Sequence, residues 1–227
     1  MEAPQLSPRP TTVLSRLLPS GVAVAEQFGA VSGVLWKEEE EALGQAVPKR
    51  QMEFAAGRSC AREALSLLGV PGCAILRGGA REPLWPDGVV GSITHCNGYC
   101  AAAVAHADQV LSLGIDAEPD EPLPAGVLPL IARPEEAERL LKRPSASRKN
   151  LDRLLFSAKE STYKAWYPLS KKWLDFDEVR IDLIPEHDSF ELEFLGSSRA
   201  EMQSLRFAGR YMIQNGLILT SVVAQRD

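Results

Sequence analysis

Two copies of one sequence pattern limit the folds that this chain can adopt. An Asn-Gly pair at Asn97-Gly98 precedes an apolar segment, and a second pair at Asn215-Gly216, 118 residues later, precedes another. Asn-Gly is the pair that two-residue hairpin turns prefer. Each pair also follows a segment with helical periodicity, at 49–69 and 151–167. We predict an α+β fold of two similar halves related by a pseudo-two-fold axis, with a ligand site in the cleft between them.

Length and composition fit this division. The chain has 227 residues, of which 45% are apolar and 24% charged, enough to bury a sizeable core. Residues 1–20 are polar and contain several prolines, which predicts a flexible N-terminal arm. We predict an N-terminal α+β half at 21–112 and a C-terminal α+β half at 113–227.

Charge, hydropathy and cysteine usage exclude several classes of protein. A net charge of −5 argues against a nucleic-acid binder. No apolar run is long enough to span a membrane, and no secretory signal pattern is present. The four cysteines form no CxxC pair, which argues against a zinc site and favours reduced thiols in the cytoplasm. Two halves in one chain can form the site without a partner chain, so we expect a monomer.

Local patterns predict most of the elements. Pro48 begins a helix that Gly69 ends, and Pro168 ends the helix that starts near 151. The acidic run at 38–41 predicts either a helix start or a solvated face. The predicted strands cover 91–95, 99–105, 110–118, 179–183, 190–194, 204–209, 210–213 and 217–224.

Two carboxylates end the strand at 110–118. Residues two apart point the same way in a strand, so Asp116 and Glu118 share one face. Their mutual repulsion is relieved either by water or by a hard divalent cation such as Mg²⁺. Both explanations remain open from these residues alone.

The helix at 151–167 has two distinct faces. One is an ordinary apolar stripe, and the other contains Lys159, Glu160, Tyr163, Lys164 and Tyr167. Tyrosines among charges suit a surface that binds an anionic and partly apolar ligand. The alternative is a solvated face with a Glu160–Lys164 pair.

Three segments together resemble the Sfp-type 4′-phosphopantetheinyl transferases. The PptT/EntD-like actinobacterial branch is indicated by further residues that resemble it: Lys49-Arg50, Glu53-Phe54, Arg58 and Glu82-Pro-Leu-Trp-Pro86. Gly114-Ile-Asp-Ala-Glu118 matches the pattern G-[IV]-D-x-E, and Phe156-Ser-Ala-Lys-Glu-Ser-Thr-Tyr-Lys164 matches [WF]-[SC]-x-K-E-[AS]-x-x-K. Residues 91–95 match a third family segment upstream. The resemblance extends from about residue 48 to 176 and is specific because the three motifs occur in order.

The resemblance implies a Mg²⁺-dependent enzyme (Mn²⁺ is possible) that moves the phosphopantetheine arm of coenzyme A to a serine of an apo carrier protein. It releases adenosine 3′,5′-bisphosphate. The implied metal ligands are Asp116, Glu118 and Glu160, with Ala117 able to contribute only its backbone. Glu160 is the implied general base, directly or through a metal-bound water, and Lys159, Lys164 and His95 are the implied charge-neutralising groups.

The resemblance also implies which residues contact coenzyme A. For the nucleotide and phosphate end these are Arg50, Arg58, Arg77, Ser92, Thr94 and His95. For the pantetheine arm they are Tyr163, Trp166, Tyr167, Trp173 and Leu174. From the residues alone, the arginines of helix 49–69 could equally face solvent, and His95 could be structural.

Charge indicates the protein partner. Residues 133–153 contain seven Lys or Arg against four Asp or Glu. Acidic apo acyl or peptidyl carrier proteins would be steered toward such a patch, so we predict a docking surface within 139–153. Two rival functions remain: a Mg²⁺-dependent nucleotide pyrophosphohydrolase, and a non-catalytic coenzyme A-binding module.

Overall fold

The computed structural model describes residues 12–143 and 150–226. Its first half is a three-stranded antiparallel sheet in the order β1-β3-β2, with the long helix α2 packed on one face. The elements are β1 (Ala23–Phe28), α1 (Lys37–Leu43), α2 (Pro48–Leu68), β2 (Val89–Cys96) and β3 (Tyr99–His106).

The second half is a five-stranded antiparallel sheet in the order β4-β8-β7-β6-β5, with the long helix α5 packed on β4 and β8. Its strands are β4 (Ser112–Pro119), β5 (Val179–Ile184), β6 (Ser189–Phe194), β7 (Leu205–Gln214) and β8 (Leu217–Arg226). Its helices are α3 (Leu128–Ile131), α4 (Pro134–Lys142), α5 (Leu151–Ser170) and α6 (Gly196–Glu201).

The two halves repeat one arrangement, which confirms the predicted fold class. In each, a first strand and a later hairpin form the sheet, as β1-β3-β2 and β4-β8-β7, and a long helix lies between them in sequence. Each hairpin closes through the predicted Asn-Gly pair. Asn215 and Gly216 both have positive φ, whereas in the first turn only Gly98 does.

The halves meet through a shared apolar core. Residues of β1 and β3 contact residues of β4 and β8 there, and Leu14 and Leu17 complete the cluster. Those two leucines belong to a short 3-10 helix, Leu14–Leu17, and are 0% and 4% exposed. The predicted flexible arm is therefore wrong at its C-terminal end, because apolar burial fixes that segment. Residues 1–11 lie outside the described part of the chain.

Three secondary-structure predictions are corrected. Strand β1 was not predicted, because apolar and polar residues are mixed in the segment before the acidic run. The acidic run itself forms the start of α1. Helix α5 continues past Pro168 to Ser170, where Lys171 with positive φ ends it. Pro168 has no N–H to donate to the carbonyl four residues earlier, so the helix lacks one hydrogen bond there but still continues for two residues. The segments 204–209 and 210–213 form one strand, β7.

Gly114 lets α5 lie directly on β4. A methyl group there would overlap the carbonyl oxygen of Ser161 and come within 2.6 Å of the Ala165 nitrogen. Because these are backbone atoms of a packed helix, we expect Gly114→Ala to lower the free energy of unfolding by about 3 kcal/mol. Urea denaturation measures this. Gly79→Ala is the control, since nothing lies within 4 Å of its added methyl. Equal stabilities for the two variants would contradict the close contact.

Candidate active site

Strands β2 and β4 lie side by side where the two sheets meet, and side chains join them. The Ser92 hydroxyl accepts a hydrogen bond from the Ile115 N–H at 3.1 Å, and the Thr94 hydroxyl accepts one from the Ala117 N–H at 3.0 Å. Both hydroxyls belong to buried residues. Ser92 and Thr94, predicted to contact coenzyme A, thus use their hydroxyls to hold the halves together, although Ser92 also lines a cavity described below.

Asp116 is fixed from several sides. Its Oδ1 lies 2.7 Å from the Lys164 Nζ and 3.4 Å from the Thr94 hydroxyl, and its Oδ2 accepts a hydrogen bond from the Ser157 hydroxyl at 2.8 Å. Ser157 in turn lies 3.0 Å from the Thr220 hydroxyl. Asp116 is 5% exposed, and these bonds hold its carboxylate in one orientation at the edge of the cleft.

Glu118 forms a second ion pair. Its Oε2 lies 2.7 Å from the Arg153 Nη1. The remaining donors of Arg153 bind the carbonyl oxygens of Glu121 and Pro122. Burial and the nearby Asp116 raise the pKa of Glu118, and Arg153 opposes that shift. Arg153, predicted to belong to the docking surface, is instead an internal counter-ion with only 16% of its side chain exposed.

Glu160 differs from both of these carboxylates. Within the described chain its side chain makes no hydrogen bond or ion pair. Burial raises the pKa of Glu160 above its ordinary value, Lys164 lowers it, and Asp116 and Glu118 raise it further. A half-buried carboxylate without a partner costs free energy in the folded protein, and such groups concentrate at functional sites.

Two cavities meet at Glu160 and Tyr163. The wider one, of about 440 Å³, lies between the loop 80–85, strand β2 and helix α5, and includes Trp85, Ile93 and Lys164 in its lining. The narrower one, of about 200 Å³, lies between α5 and the segment 173–179. Glu160 and Tyr163 line both cavities, so a long ligand could pass Glu160 on its way from one to the other.

Lys159 lines the narrower cavity, but its ammonium group is bound by Glu136 and is not free to contact a phosphate, contrary to what the resemblance implied. Its Nζ lies 2.7 Å from Glu136 Oε2, with both side chains almost fully buried, and it donates to the carbonyl oxygens of Phe176 and Val179. Burial lowers the pKa of Lys159, and Glu136 opposes that shift. Helical periodicity assigned Lys159 to the polar face because Glu136, its distant partner, cannot be identified from local sequence.

The Arg58 guanidinium is also bound within the protein. Its Nε donates to the Ile75 carbonyl at 2.9 Å, and its guanidinium carbon lies 3.9 Å from the centre of the Phe54 ring. Burial lowers the pKa of Arg58 to about 10. It therefore supports the segment leading to Arg77 and offers no free fork to a phosphate. Arg77 itself is half-buried and donates to the Ala42 carbonyl at 2.6 Å.

His95 lies at the edge of the cleft with Arg50. The Arg50 Nη1 donates to His95 Nε2 at 3.1 Å, and Glu53 lies 3.9 Å from Nδ1. Burial lowers the pKa of His95, which agrees with a neutral ring that accepts from arginine; Lys164 and Arg50 act in the same direction, and Glu53 and Asp116 oppose. Arg50 and His95 are thus placed together near the carboxylates.

The predicted aromatic wall is only partly formed. Tyr163 lies 5.1 Å from Trp173 and 5.9 Å from Tyr167, ring centre to ring centre. Trp173 is 68% exposed at the rim of the narrower cavity, which Leu174 also lines. Trp166 is not part of the wall: it is 1% exposed and packs on Phe194 in the core.

The supporting residue Thr220 was missed from the sequence. It lies on β8 directly opposite Asp116 and is fully buried. The signal was present, because Thr220 and Ser221 interrupt an otherwise apolar strand, and buried hydroxyls need a partner.

Comparison with known proteins identifies the family. Residues 38–105 match the 4′-phosphopantetheinyl transferase N-terminal domain, and residues 112–213 match the 4′-phosphopantetheinyl transferase superfamily. The chain belongs to this superfamily. The motifs at 114–118 and 156–164 fall inside the second match, and the family predicted from them is confirmed.

Similar proteins cover nearly the whole chain. The chain is 43% identical to 4′-phosphopantetheinyl transferase Svp of Streptomyces mobaraensis, over 92% of its own length and 88% of that protein's. It is 43% identical to Npt of Nocardia iowensis, over 92% and 99% of the two chains, and 42% identical to PptT of Mycobacterium tuberculosis, over 93% and 98%. These relatives confirm that the chain is a transferase of this family.

The family resemblance implies a metal, and the residue types fit one. Asp116, Glu118 and Glu160 offer the hard oxygen ligands that Mg²⁺ prefers. However, nowhere in 12–143 or 150–226 do three or more His, Cys, Asp or Glu side chains lie close enough to hold a metal ion. Lys164 and Arg153 pair with two of the three carboxylates instead. A metal would therefore require these side chains to part.

Two remaining features bear on the excluded classes. Across the described residues, none of the helices is both long and apolar enough to cross a membrane. All four cysteines are free thiols, as predicted.

Proposed function

We propose that the protein transfers the 4′-phosphopantetheine arm of coenzyme A to a serine hydroxyl of an apo acyl or peptidyl carrier protein. The supporting observation is Glu160, a half-buried carboxylate with no bonding partner among the described residues, at the junction of the two cavities. The serine oxygen forms a bond to the phosphorus that bears the pantetheine. The bond from that phosphorus to the bridging oxygen breaks, and adenosine 3′,5′-bisphosphate leaves.

Each cavity suits one end of coenzyme A. The wider cavity offers Lys164 and, at its rim, Arg81 and Lys171, which suits a nucleotide with phosphates. The narrower one is bounded by Tyr163, Leu174 and other apolar groups, which suits an uncharged arm. The pyrophosphate would then lie at the junction beside Glu160.

The chain's own residues have distinct roles in this reaction. Glu160 accepts the proton of the serine hydroxyl, for which a carboxylate with a raised pKa is well suited. Lys164 moves from Asp116 to the phosphate oxygens, and Arg50 and His95 bind phosphate from the side of α2. Tyr163 separates the arm from the nucleotide. Phosphoryl transfer depends mainly on such positioning and charge neutralisation.

Asp116, Glu118 and Glu160 would hold Mg²⁺, or Mn²⁺ in its place. The bound cation supplies positive charge to the pyrophosphate when the leaving group departs. Ala117 would contribute only its backbone carbonyl oxygen, because its methyl side chain has no atom that can bind a metal. Release of Lys164 and Arg153 would accompany metal loading, so these side chains keep the carboxylates neutralised beforehand.

The docking surface for an acidic carrier protein is narrower than the sequence suggests. Lys142 pairs with Glu138 at 2.7 Å but its side chain is 71% exposed, and Arg143 donates to the Leu183 carbonyl at 2.8 Å. Arg139 pairs with Asp182. Arg148 and Lys149 lie outside the described residues. We retain Lys142 and Arg143 as its described members. A cytoplasmic location and a monomeric state remain predictions.

Reversing the charges of the docking surface should weaken only the interaction with the carrier protein. With Lys142, Arg143, Arg148 and Lys149 all changed to Glu, we expect the KM for the carrier to rise about tenfold, because steering toward a basic surface is lost. The KM for coenzyme A should stay unchanged. Lys37→Glu, an exposed lysine of the first half, is the control. A parallel loss of coenzyme A binding would refute the assignment.

One experiment tests the function itself. The protein is incubated with coenzyme A, Mg²⁺ and an apo carrier, and the intact carrier is weighed by mass spectrometry. We expect the mass of one phosphopantetheine group to be added. Free phosphopantetheine without carrier labelling would indicate the pyrophosphohydrolase, and intact coenzyme A bound without turnover would indicate the non-catalytic module.

A further inference from the structure

Two buried glutamates occupy matching positions in the two halves. Glu39 is the third residue of α1 and Glu136 the third residue of α4, and they are 0% and 2% exposed. Each accepts a hydrogen bond from the N–H of the residue before its helix, Trp36 at 2.9 Å and Arg133 at 2.7 Å. Both are thus capping residues that face the interior.

Each glutamate also pairs with a cation 23 residues later on the long helix of its half. Arg62 on α2 lies 2.6 Å from Glu39, and Lys159 on α5 lies 2.7 Å from Glu136. Each glutamate further accepts an N–H from a segment after that helix, Ile75 in the first half. The two halves therefore contain the same buried arrangement, built with arginine in one and lysine in the other.

The pair in the second half reaches the narrower cavity. Lys159 Nζ donates to the carbonyl oxygens of Phe176 at 2.6 Å and Val179 at 3.1 Å, and Glu136 Oε1 accepts from the Ile181 N–H at 2.7 Å. Phe176, Val179 and Lys159 all line that cavity. The wall opposite Tyr163 is thus fixed to α4 and α5 by one ion pair.

A buried ion pair adds little net free energy to the stability of a core. Removing two charges from water costs several kcal/mol per ion, and well-packed apolar side chains often stabilise as much or more. Unlike an apolar contact, the ion pair makes directional hydrogen bonds. These bonds hold three backbone groups of 176–181 at defined positions. That is useful where the segment forms one side of a cavity.

We propose that Glu136 and Lys159 are positioning residues for the phosphopantetheine arm, which act by holding the Phe176–Val179 wall of the narrower cavity. The inference rests on the proposed function. Neither residue touches the nucleotide in this assignment. Their loss should therefore weaken binding of the arm and leave binding of the nucleotide end intact.

Two ligands separate these effects. Coenzyme A has both ends, whereas adenosine 3′,5′-bisphosphate lacks the arm. Isothermal titration calorimetry on the intact protein gives the dissociation constant of each, and their ratio reports the arm alone. We expect Glu136→Gln to raise the ratio of the coenzyme A constant to the bisphosphate constant about tenfold. An unchanged ratio would overturn the positioning role.

Glu39→Gln is the matched control. It removes the charge from the equivalent glutamate, which has the same burial, the same cap and a cation at the same spacing. It should lower the melting temperature, but the ratio should stay that of the unmodified protein, because the first-half pair does not border the narrower cavity. A ratio raised equally by both variants would show a general loss of structure and overturn the inference.

A second variant covers a failure of Glu136→Gln to fold. Glu136→Leu combined with Lys159→Met removes both charges and keeps the volume, which such pairs tolerate. It removes all three bonds to the backbone groups, whereas Glu136→Gln removes only the charge that holds Lys159. At least the same rise in ratio is therefore expected, and an unchanged ratio would again overturn the role. If the unmodified protein binds neither ligand, the proposed function itself fails, and the inference with it.

Discussion

Replacing Asp116 by alanine should lower the rate of phosphopantetheine transfer at least about a hundredfold. That factor is the upper range for groups that only support a metal ligand, and Asp116 is proposed as a ligand itself. Its carboxylate is oriented by Ser157 and Lys164 at 2.8 and 2.7 Å, so alanine would remove an oxygen ligand that the fold holds in place. Transfer is measured by intact mass of the carrier over time.

Loss of folding must be separated from loss of chemistry in that variant. Asp116→Ala leaves Lys164 without its carboxylate, although Lys164 retains the Ile115 carbonyl at 3.1 Å. We therefore expect a lower melting temperature but retained binding of adenosine 3′,5′-bisphosphate. The control is Asp182→Ala, which removes a carboxylate of β5 that pairs with Arg139 of α4. This variant should transfer phosphopantetheine at the normal rate. Normal transfer by Asp116→Ala would remove Asp116 from the site.

Local chemistry explains why much of the fold was predictable. The Asn-Gly pairs set both hairpins, and the 3.6-residue apolar period of 151–167 identified α5. These signals depend only on neighbours in sequence. The repeat of strand, long helix and hairpin then followed from the spacing of the two turns, and the structure has that repeat.

Burial of charge was not predictable in the same way. Lys159 and Arg58 were both assigned to ligand contacts by the family resemblance. Their actual partners are a glutamate 23 residues away for Lys159 and the carbonyls of 75 and 76 for Arg58. Such pairs form only after helices and strands have packed, so no pattern of residues along one helix identifies them.

The carboxylates of the site were found for a different reason. Asp116, Glu118 and Glu160 were identified by their motifs, whose spacing follows from a strand and a helix in contact. The ion pairs with Lys164 and Arg153 were not anticipated. They form because an unpaired carboxylate in a half-buried cleft costs free energy in the folded state, and a nearby cation that pairs with it lowers that cost.

Replacing Glu160 by glutamine should abolish most of the activity without harming the fold. Because Glu160 is the proposed general base, its loss should lower kcat about a hundredfold or more, which is the usual contribution of such a group. Coenzyme A should still bind in the absence of metal, because Glu160 bonds to none of the groups that border the two cavities. Steady-state transfer and calorimetric titration measure the two properties separately.

Stability provides the sharper part of this test. The Glu160 carboxylate is half-buried, its pKa is raised by burial, and it makes no hydrogen bond or ion pair in the described chain, so ionisation destabilises the folded state. Glutamine has the same shape and no charge, so the free energy of unfolding should stay constant or rise. Glu193→Gln on β6, which loses contacts with Arg180 and Arg199, should instead be less stable and fully active. A stable, inactive Glu160→Gln would mean that the unpaired carboxylate is present for the reaction, whereas loss of coenzyme A affinity alone would favour a binding module.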